Sequence, residues 1–145
     1  MPGIVGLITK LPRAVAEQQV LAMVKSVHHE AFYTCGTWSD PEQGIYIGWV
    51  ARRGSFADTL PVSNEAGDIA LFFSGEEFPR PDLKNSLRQR GHQFPNDGPS
   101  YLVHRYEDEK EFPNGLNGRF HGLVVNREQR TGMLFNDRGL LKPGM

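Results

Sequence analysis

The sequence predicts an α+β fold, organised as one domain over residues 1–145. Two observations lead to this prediction. Strand-like and helix-like segments follow the order strand, helix, strands, helices and hairpin, and not the regular alternation that produces a parallel sheet. The chain of 145 residues has the length of one ordinary domain, and 39% of its residues are hydrophobic, which is enough for a buried core.

In the first half of the chain, two predicted strands flank a helix. Apolar residues alternate along GIVGLIT, from Gly3, which is typical of a strand. Pro12 suits the first turn of a helix, and Val20 and Val24 belong to its apolar stripe. The segment GIYIGWVA, from Gly44, is the second strand, whereas HEAFYTCGTW before it is predicted to be a loop.

The second half predicts a buried strand, two helices and a hairpin. DIALFFSG, from Asp68, is almost wholly apolar, so both its faces should be covered, and it is expected to run into a Ser-Gly-Glu turn. The segments RPDLKNSLRQRG and GPSYLVHRYEDE indicate short helices. FHGLVVN and GMLFND indicate two strands, joined by the polar turn REQRT.

Composition argues against several classes of protein. The formal net charge of −1 gives no indication of binding to nucleic acid or to an anionic membrane. The longest apolar runs, such as IALFF, are far shorter than the roughly 20 residues of a membrane span. There is no secretory leader pattern and no second cysteine to form a disulfide, so we expect a cytoplasmic protein. The single cysteine, Cys35, is predicted to be a buried and unreactive thiol.

Common motifs of nucleotide and metal chemistry are absent from the sequence. There is no G-x-x-x-x-G-K-[ST] phosphate loop, no G-x-G-x-x-G turn, no H-E-x-x-H zinc motif and no G-x-S-x-G nucleophile elbow. No pair of histidines has a spacing typical of metal ligands. We therefore predict no metal site from the five histidines, which are His28, His29, His92, His104 and His121.

Four segments carry a resemblance to a known family: PGIVG, SGEEF, LNGRFHGLVVN and NDRGLLKP. In this order they are similar to the glutaminase-like domain of the asparagine synthetase family, the class II glutamine amidotransferases. That family starts Met-Cys-Gly-Ile and has an Asn-Gly-Glu turn after a buried strand. It continues with a Leu-x-Gly-x-Phe-Ala run, a hairpin and Arg-Asp-Arg-x-Gly-x-Lys-Pro. The divergent asparagine synthetase-related proteins, which lack the nucleophile, resemble this chain most.

The resemblance implies a four-layer αββα sandwich of the N-terminal-nucleophile hydrolase type. In that family the initiator Met is removed, and the thiol of the next residue, Cys, attacks the glutamine side-chain amide with its own α-amine as base. Pro2 stands at this position without a thiol, so we expect no glutaminase activity. The family's oxyanion hole uses an Asn side chain and the following Gly amide, which correspond to Ser74 and Gly75. Glu76 is expected to shape the same turn.

The resemblance also implies candidate glutamine-binding residues. Arg53 matches the arginine that holds the glutamine carboxylate in the family, with Arg52 as the alternative in register. The aspartate that holds the α-amino group falls near Gly98, with Asp97 one residue away. Every one of these residues also has a purely structural interpretation as a turn, packing or surface position.

The synthetase domain of the family, which uses ATP and Mg, has no counterpart here, so no cofactor is expected in this chain. The ending GLLKPGM lacks the aromatic ending of the family, and we expect a domain truncated near its C-terminus. The predicted partners are glutamine and either a synthetase-like domain or a second copy of the chain. Two alternatives stay open: an enzyme that uses the Pro2 amine as base or nucleophile, and a remnant without function.

Overall fold

The computed structural model describes residues 3–141, with residues 139–141 described by their backbone alone. The chain divides into two compact units, with the boundary between Asp58 and Thr59. Each unit has its own antiparallel sheet. Predictions that concern Pro2, and those that concern the ending from Lys142 onward, lie outside the described residues.

The first unit is a three-stranded sheet with one helix packed against it. Its elements are β1 (Gly3–Ile8), α1 (Arg13–Val27), β2 (Tyr33–Asp40) and β3 (Ile45–Arg52). The central strand is β3, with β1 and β2 paired on either side. Its core joins apolar side chains of α1 to those of β3, namely Ala16, Val20, Val24, Tyr46 and Val50.

The segment Tyr33–Asp40 is a strand, so the prediction of a loop around Cys35 was wrong. Its ladder with β3 pairs Cys35 with Val50 and Gly36 with Trp49. Gly36 lies against the Trp49 ring, where a Cβ atom would collide with ring carbons. A glycine inside a strand weakens the local signal for that strand, and here pairing with a buried neighbour overrides it.

Cys35 is exposed, and the prediction of a buried thiol was also wrong. The strand β2 lies at the edge of its sheet. Side chains of a strand alternate between its two faces, and Cys35 shares an exposed face with Thr37. The thiol therefore contributes little to the core of this unit.

The second unit is a five-stranded sheet with two short helices. Its strands lie in the spatial order β4-β5-β6-β7-β8. In chain order its elements are β4 (Val62–Ser63), β5 (Ile69–Glu77), α2 (Leu83–Gln89), α3 (Tyr101–Asp108), β6 (Gly118–Asn126), β7 (Thr131–Asn136) and β8 (Gly139–Leu141). The hairpin predicted at REQRT is confirmed as the connection between β6 and β7.

Aromatic rings fill the core of the second unit. Phe73 of β5 and Phe120 of β6 stack with ring centroids 5.3 Å apart. Phe135 of β7 meets the Phe120 ring edge-on at 6.0 Å, and Phe112 meets Phe135 edge-on at 5.2 Å. Three neighbouring strands and one loop are thus joined through a chain of rings, which is the preferred geometry of packed aromatic residues.

The described residues form two antiparallel sheets and three helices, which confirms the predicted α+β class. The predicted turn at Ser74–Glu76 is wrong, because β5 continues in register with β6 as far as Glu77. The strands β4 and β8 have two and three residues. Such short strands leave no periodic pattern in a sequence and form only by pairing with a longer neighbour.

The helices in residues 3–141 are short. The longest is α1, with 15 residues, and it begins directly after Pro12 as predicted. None of the helices in this range has the length and apolar character needed to cross a membrane.

Candidate functional site

Ser74, Gly75 and Glu76 lie near the end of β5, next to β6. Gly75 has a φ of +114°, which residues with a side chain rarely adopt. A Cβ atom on Gly75 would also lie 2.8 Å from the Cα of Phe120 and would overlap the carbonyl of Arg119. Both constraints require glycine here, and the pairing of β5 with β6 on either side of this position holds its backbone in place.

The backbone N–H of Gly75 faces away from β6. Opposed residues of an antiparallel ladder alternate between pairs that exchange hydrogen bonds and pairs that do not. The N–H of Phe78 donates to the carbonyl of Asn117 at 2.7 Å, so these two residues form a hydrogen-bonded pair. Every second pair before them along the ladder is then also hydrogen-bonded. Gly75 and its partner Phe120 then form a pair without mutual hydrogen bonds. Within residues 3–141, the other neighbour of β5 is β4, which pairs with residues 70–71 and leaves this edge open.

A groove lies beside Gly75. It is lined by Gly75, Glu76, Phe78, Asn117, Gly118 and Arg119. Glu76 and Arg119 are directly opposed on the two strands, and both are exposed. The Phe78 side chain is 59% exposed. The groove therefore combines a carboxylate, a guanidinium and an apolar ring around a glycine of fixed backbone geometry.

Ser74 is almost buried, in contrast to the exposed Gly75 and Glu76. It pairs with His121 across the ladder. A strand side chain leaves the sheet through one face, whereas backbone N–H groups lie in the plane of the sheet. Ser74 and Gly75 are therefore consecutive on β5, with the Ser74 side chain on a buried face of the sheet and the Gly75 N–H in its plane.

A buried carboxylate, Glu77, fixes the end of β5 two residues beyond Gly75. The Glu77 side chain is wholly buried, and Arg105 Nη1 lies 3.7 Å from its Oε1. The Tyr101 hydroxyl donates to the same oxygen at 2.6 Å, and the N–H of Asn117 donates to Oε2 at 2.9 Å. These contacts join α3 and the residue before β6 to the end of β5.

The ionisation of this network is set by its burial. Burial first, and then the hydrogen bond to Glu77, raise the pKa of the Tyr101 hydroxyl well above its ordinary value. Burial, the largest effect, lowers the pKa of Arg105 because it disfavours the charged form. The hydrogen bond to Glu109, the charge of Glu109 and the charge of Glu77 together outweigh it, so the pKa of Arg105 is raised. At neutral pH Tyr101 is therefore a neutral donor and Arg105 a cation.

The other predicted site residues fall in different parts of the chain. Arg53 belongs to the first unit, where it follows β3, and its N–H donates to the carbonyl of Phe32 at 2.9 Å. Its side chain is exposed.

Asp97 and Gly98 belong to the second unit, in the loop before α3, where Asp97 is exposed and Gly98 has a φ of +85°. Binding of glutamine by Arg53 and Asp97 stays a prediction.

The fold assembles a cluster that the sequence analysis missed, composed of Glu65, His92, His104 and Glu107. One ligand atom of each lies within 4.8 Å of those of the others. The residues come from the turn after β4, the loop after α2, and α3, which only tertiary structure brings together. One signal was present in the sequence: His104 and Glu107 are three residues apart in a predicted helix, so they share a face.

Comparison with known protein families shows one match that covers most of the second unit. A family model described as a glutamine amidotransferase domain matches residues 51–143, which is more than half of the chain. This range includes Arg53, the strand β5 and the network around Glu77, and it does not include Pro2. No curated protein matches the chain.

The need for glycine at position 75 is testable. We expect Gly75→Ala to lower the free energy of unfolding by about 1–3 kcal/mol, because alanine would be strained at a positive φ and would press on β6. Urea unfolding followed by circular dichroism measures this loss. Gly132→Ala on β7 is the control, since a Cβ there meets nothing within 4 Å. Equal losses in the two variants would contradict the proposed constraint.

The raised pKa of Tyr101 predicts sensitivity to alkali. The unfolded chain releases the tyrosine proton near the ordinary pKa of about 10, whereas the folded chain keeps it to higher pH. The stabilisation is therefore complete below about pH 10 and is lost as the pH rises further, at up to about 1.4 kcal/mol per pH unit. Tyr101→Phe should be less stable than the wild type at pH 7, and its stability should fall less steeply above about pH 10. Urea unfolding across this pH range gives both slopes, and identical slopes would refute the assignment.

Proposed function

Because this chain belongs to the glutamine amidotransferase domain family, we propose that it is a non-hydrolysing domain of the asparagine synthetase-related type. The observation that carries this proposal is Pro2, at the position where the resembling family has its nucleophilic cysteine. We further propose the αββα sandwich of that family for this domain, and a role as a scaffold for a synthetase-like partner or a second copy of the chain.

The proposed loss of hydrolysis follows from the chemistry of the first step. Amide cleavage in the family begins with attack by a thiolate, and an acyl-enzyme intermediate forms on its sulfur. Proline has no thiol, so this intermediate cannot form at Pro2. Removal of a nucleophile from a comparable catalytic unit lowers the rate on the order of 10⁶-fold. Ser74, whose hydroxyl has a shorter arm than the Asn of the resembling family, supports the same conclusion, since loss of one oxyanion donor lowers the rate about 10²–10³-fold.

Recognition of glutamine needs less than its hydrolysis. The fixed backbone of Gly75 can present one N–H to an amide oxygen, at the edge of β5 that faces away from β6. An exposed guanidinium such as that of Arg53 can hold a carboxylate through two parallel hydrogen bonds. We therefore propose that glutamine is bound as a ligand, and that Asp97, or the backbone at Gly98, contacts its amino group.

The proposal predicts that the purified chain does not hydrolyse glutamine. Ammonia and glutamate release should stay at the level of a blank without protein, both for the wild type and for Cys35→Ser. Intact mass of the same sample shows whether Met1 is retained, and retained Met1 would rule out chemistry at the Pro2 amine. Hydrolysis that persists in Cys35→Ser but disappears in Pro2→Ala would overturn the proposal in favour of that amine.

Binding of glutamine is tested separately by thermal unfolding. A ligand that binds only the folded chain raises the unfolding midpoint by mass action. Millimolar glutamine should raise the midpoint of the wild type, and Arg53→Ala should remove this shift. Arg52→Ala tests the alternative register, and Arg138→Ala, which is exposed, is the control that should keep the shift. A wild-type midpoint that does not move would exclude the glutamine site and leave the scaffold role alone.

A further inference from the structure

We propose that Glu65, His92, His104 and Glu107 form a binding site for a divalent transition-metal ion, with zinc as the best fit. All four residues belong to the second unit, and their ligand atoms lie within 4.8 Å of one another. The site shares no residue with the proposed glutamine site, and the proposal does not rest on glutamine binding.

The donor set matches the preferences of zinc. Zinc binds imidazole nitrogen and carboxylate oxygen at about 2.0–2.2 Å, most often with four ligands in a tetrahedron. Ligand atoms of such a tetrahedron are roughly 3.4 Å apart. The four groups here lie within 4.8 Å of one another, so side-chain adjustment alone can close them on an ion. Two imidazoles with two carboxylates also fit cobalt or nickel, whereas magnesium and calcium prefer oxygen ligands alone.

Three of the four ligands are oriented by a second contact. Asp108 accepts a hydrogen bond from His92, with 2.9 Å between Oδ2 and Nε2. With the proton on Nε2, the Nδ1 of His92 keeps the lone pair that a metal requires. A carboxylate behind a histidine is the usual arrangement around protein-bound zinc, where it fixes the ring and raises its basicity.

The two glutamates are oriented in the same way. The N–H of Gln93 donates to Glu65 Oε1 at 3.3 Å, and the amide of Asn64 donates to Glu107 Oε2 at 3.5 Å. The other oxygen of each glutamate faces the Nδ1 of His104, with Glu107 Oε1 at 3.1 Å and Glu65 Oε2 at 3.8 Å. Each carboxylate therefore has one oxygen held by the protein and one directed at the shared centre.

The charges around the centre favour a cation. His104 is almost buried, and its ring stacks on that of His92 with centroids 4.5 Å apart. The carboxylate of Asp108 adds a further negative charge, part of which is offset by Arg90 at 3.1 Å.

A bound ion would join three separate segments of the second unit. Glu65 lies between β4 and β5, His92 lies after α2, and the remaining two ligands lie on α3. Four protein ligands fill a tetrahedral zinc site and leave no position for a substrate, which is the pattern of a structural site. The loop that carries Asp97 and Gly98 runs between His92 and α3, so an ion would hold both ends of this loop.

Isothermal titration of the metal-free full chain with zinc chloride tests the proposal. We expect one ion per chain, and a rise of several degrees in the thermal midpoint when zinc is in large excess over Kd. Glu65→Gln and His92→Gln change partly or largely accessible side chains, so both variants should fold. Each should weaken zinc binding by about 100-fold or more, since even removal of a supporting contact costs 10–100-fold. Glu128→Gln and His29→Gln, which alter exposed residues outside the cluster, should bind as the wild type does.

Asp108→Asn tests the positioning of His92 and should weaken zinc binding about 10–100-fold without changing the stoichiometry. Cys35→Ser should have no effect on zinc binding. Absence of zinc binding by the wild type would overturn the proposal and leave the four residues as a hydrogen-bonded cluster. Binding that persists unchanged in Glu65→Gln and His92→Gln, or that disappears in Cys35→Ser, would place the ion elsewhere and would overturn it equally.

Discussion

The buried carboxylate of Glu77 is the interaction on which the arrangement of the second unit depends. A buried charged group is stable only when it is paired and hydrogen-bonded. Removal of one member of such a pair lowers the free energy of unfolding by about 3–5 kcal/mol. Its partners are Tyr101 and Arg105 of α3 and the N–H of Asn117 before β6. Satisfying this one carboxylate therefore fixes the helix on the sheet and aligns the ends of β5 and β6, where Gly75 and its groove lie.

The helix α3 links this network to the histidine cluster. Tyr101 and Arg105 are four residues apart and both contact Glu77, so they occupy one face of the helix. His104 and Glu107 are three residues apart and contact each other on another face. Any change that displaces α3 must disturb both groups, because one rigid helix of eight residues carries them. Stabilisation of the cluster by an ion would therefore also support the end of β5.

The candidate site combines a constrained backbone with side chains that differ from those of the resembling family. Gly75 keeps a geometry that no other residue adopts without strain, whereas Ser74 is drawn into the sheet and Pro2 supplies no thiol. Backbone geometry is set by the packing of the whole sheet, and it persists as long as the fold does. A nucleophile is a single side chain and can be lost without affecting the fold. This difference explains how a family member could keep its fold under the proposed loss of hydrolysis.

The sequence by itself determined the α+β class, the helix after Pro12 and the hairpin at REQRT, because these depend on local periodicity and turn residues. Only the tertiary structure decided the strand around Cys35, the extension of β5 through Glu77, and the short strands β4 and β8, since pairing with a neighbouring strand stabilises segments that have weak local preference. The resemblance indicated Ser74 and Gly75 as candidates, but the burial of Ser74 and the uncovered edge of β5 at Gly75 follow from the tertiary structure. The contact between His92 and His104 could likewise not be predicted from the sequence. It depends on how α3 packs against its neighbouring loops, and no local sequence pattern records that packing.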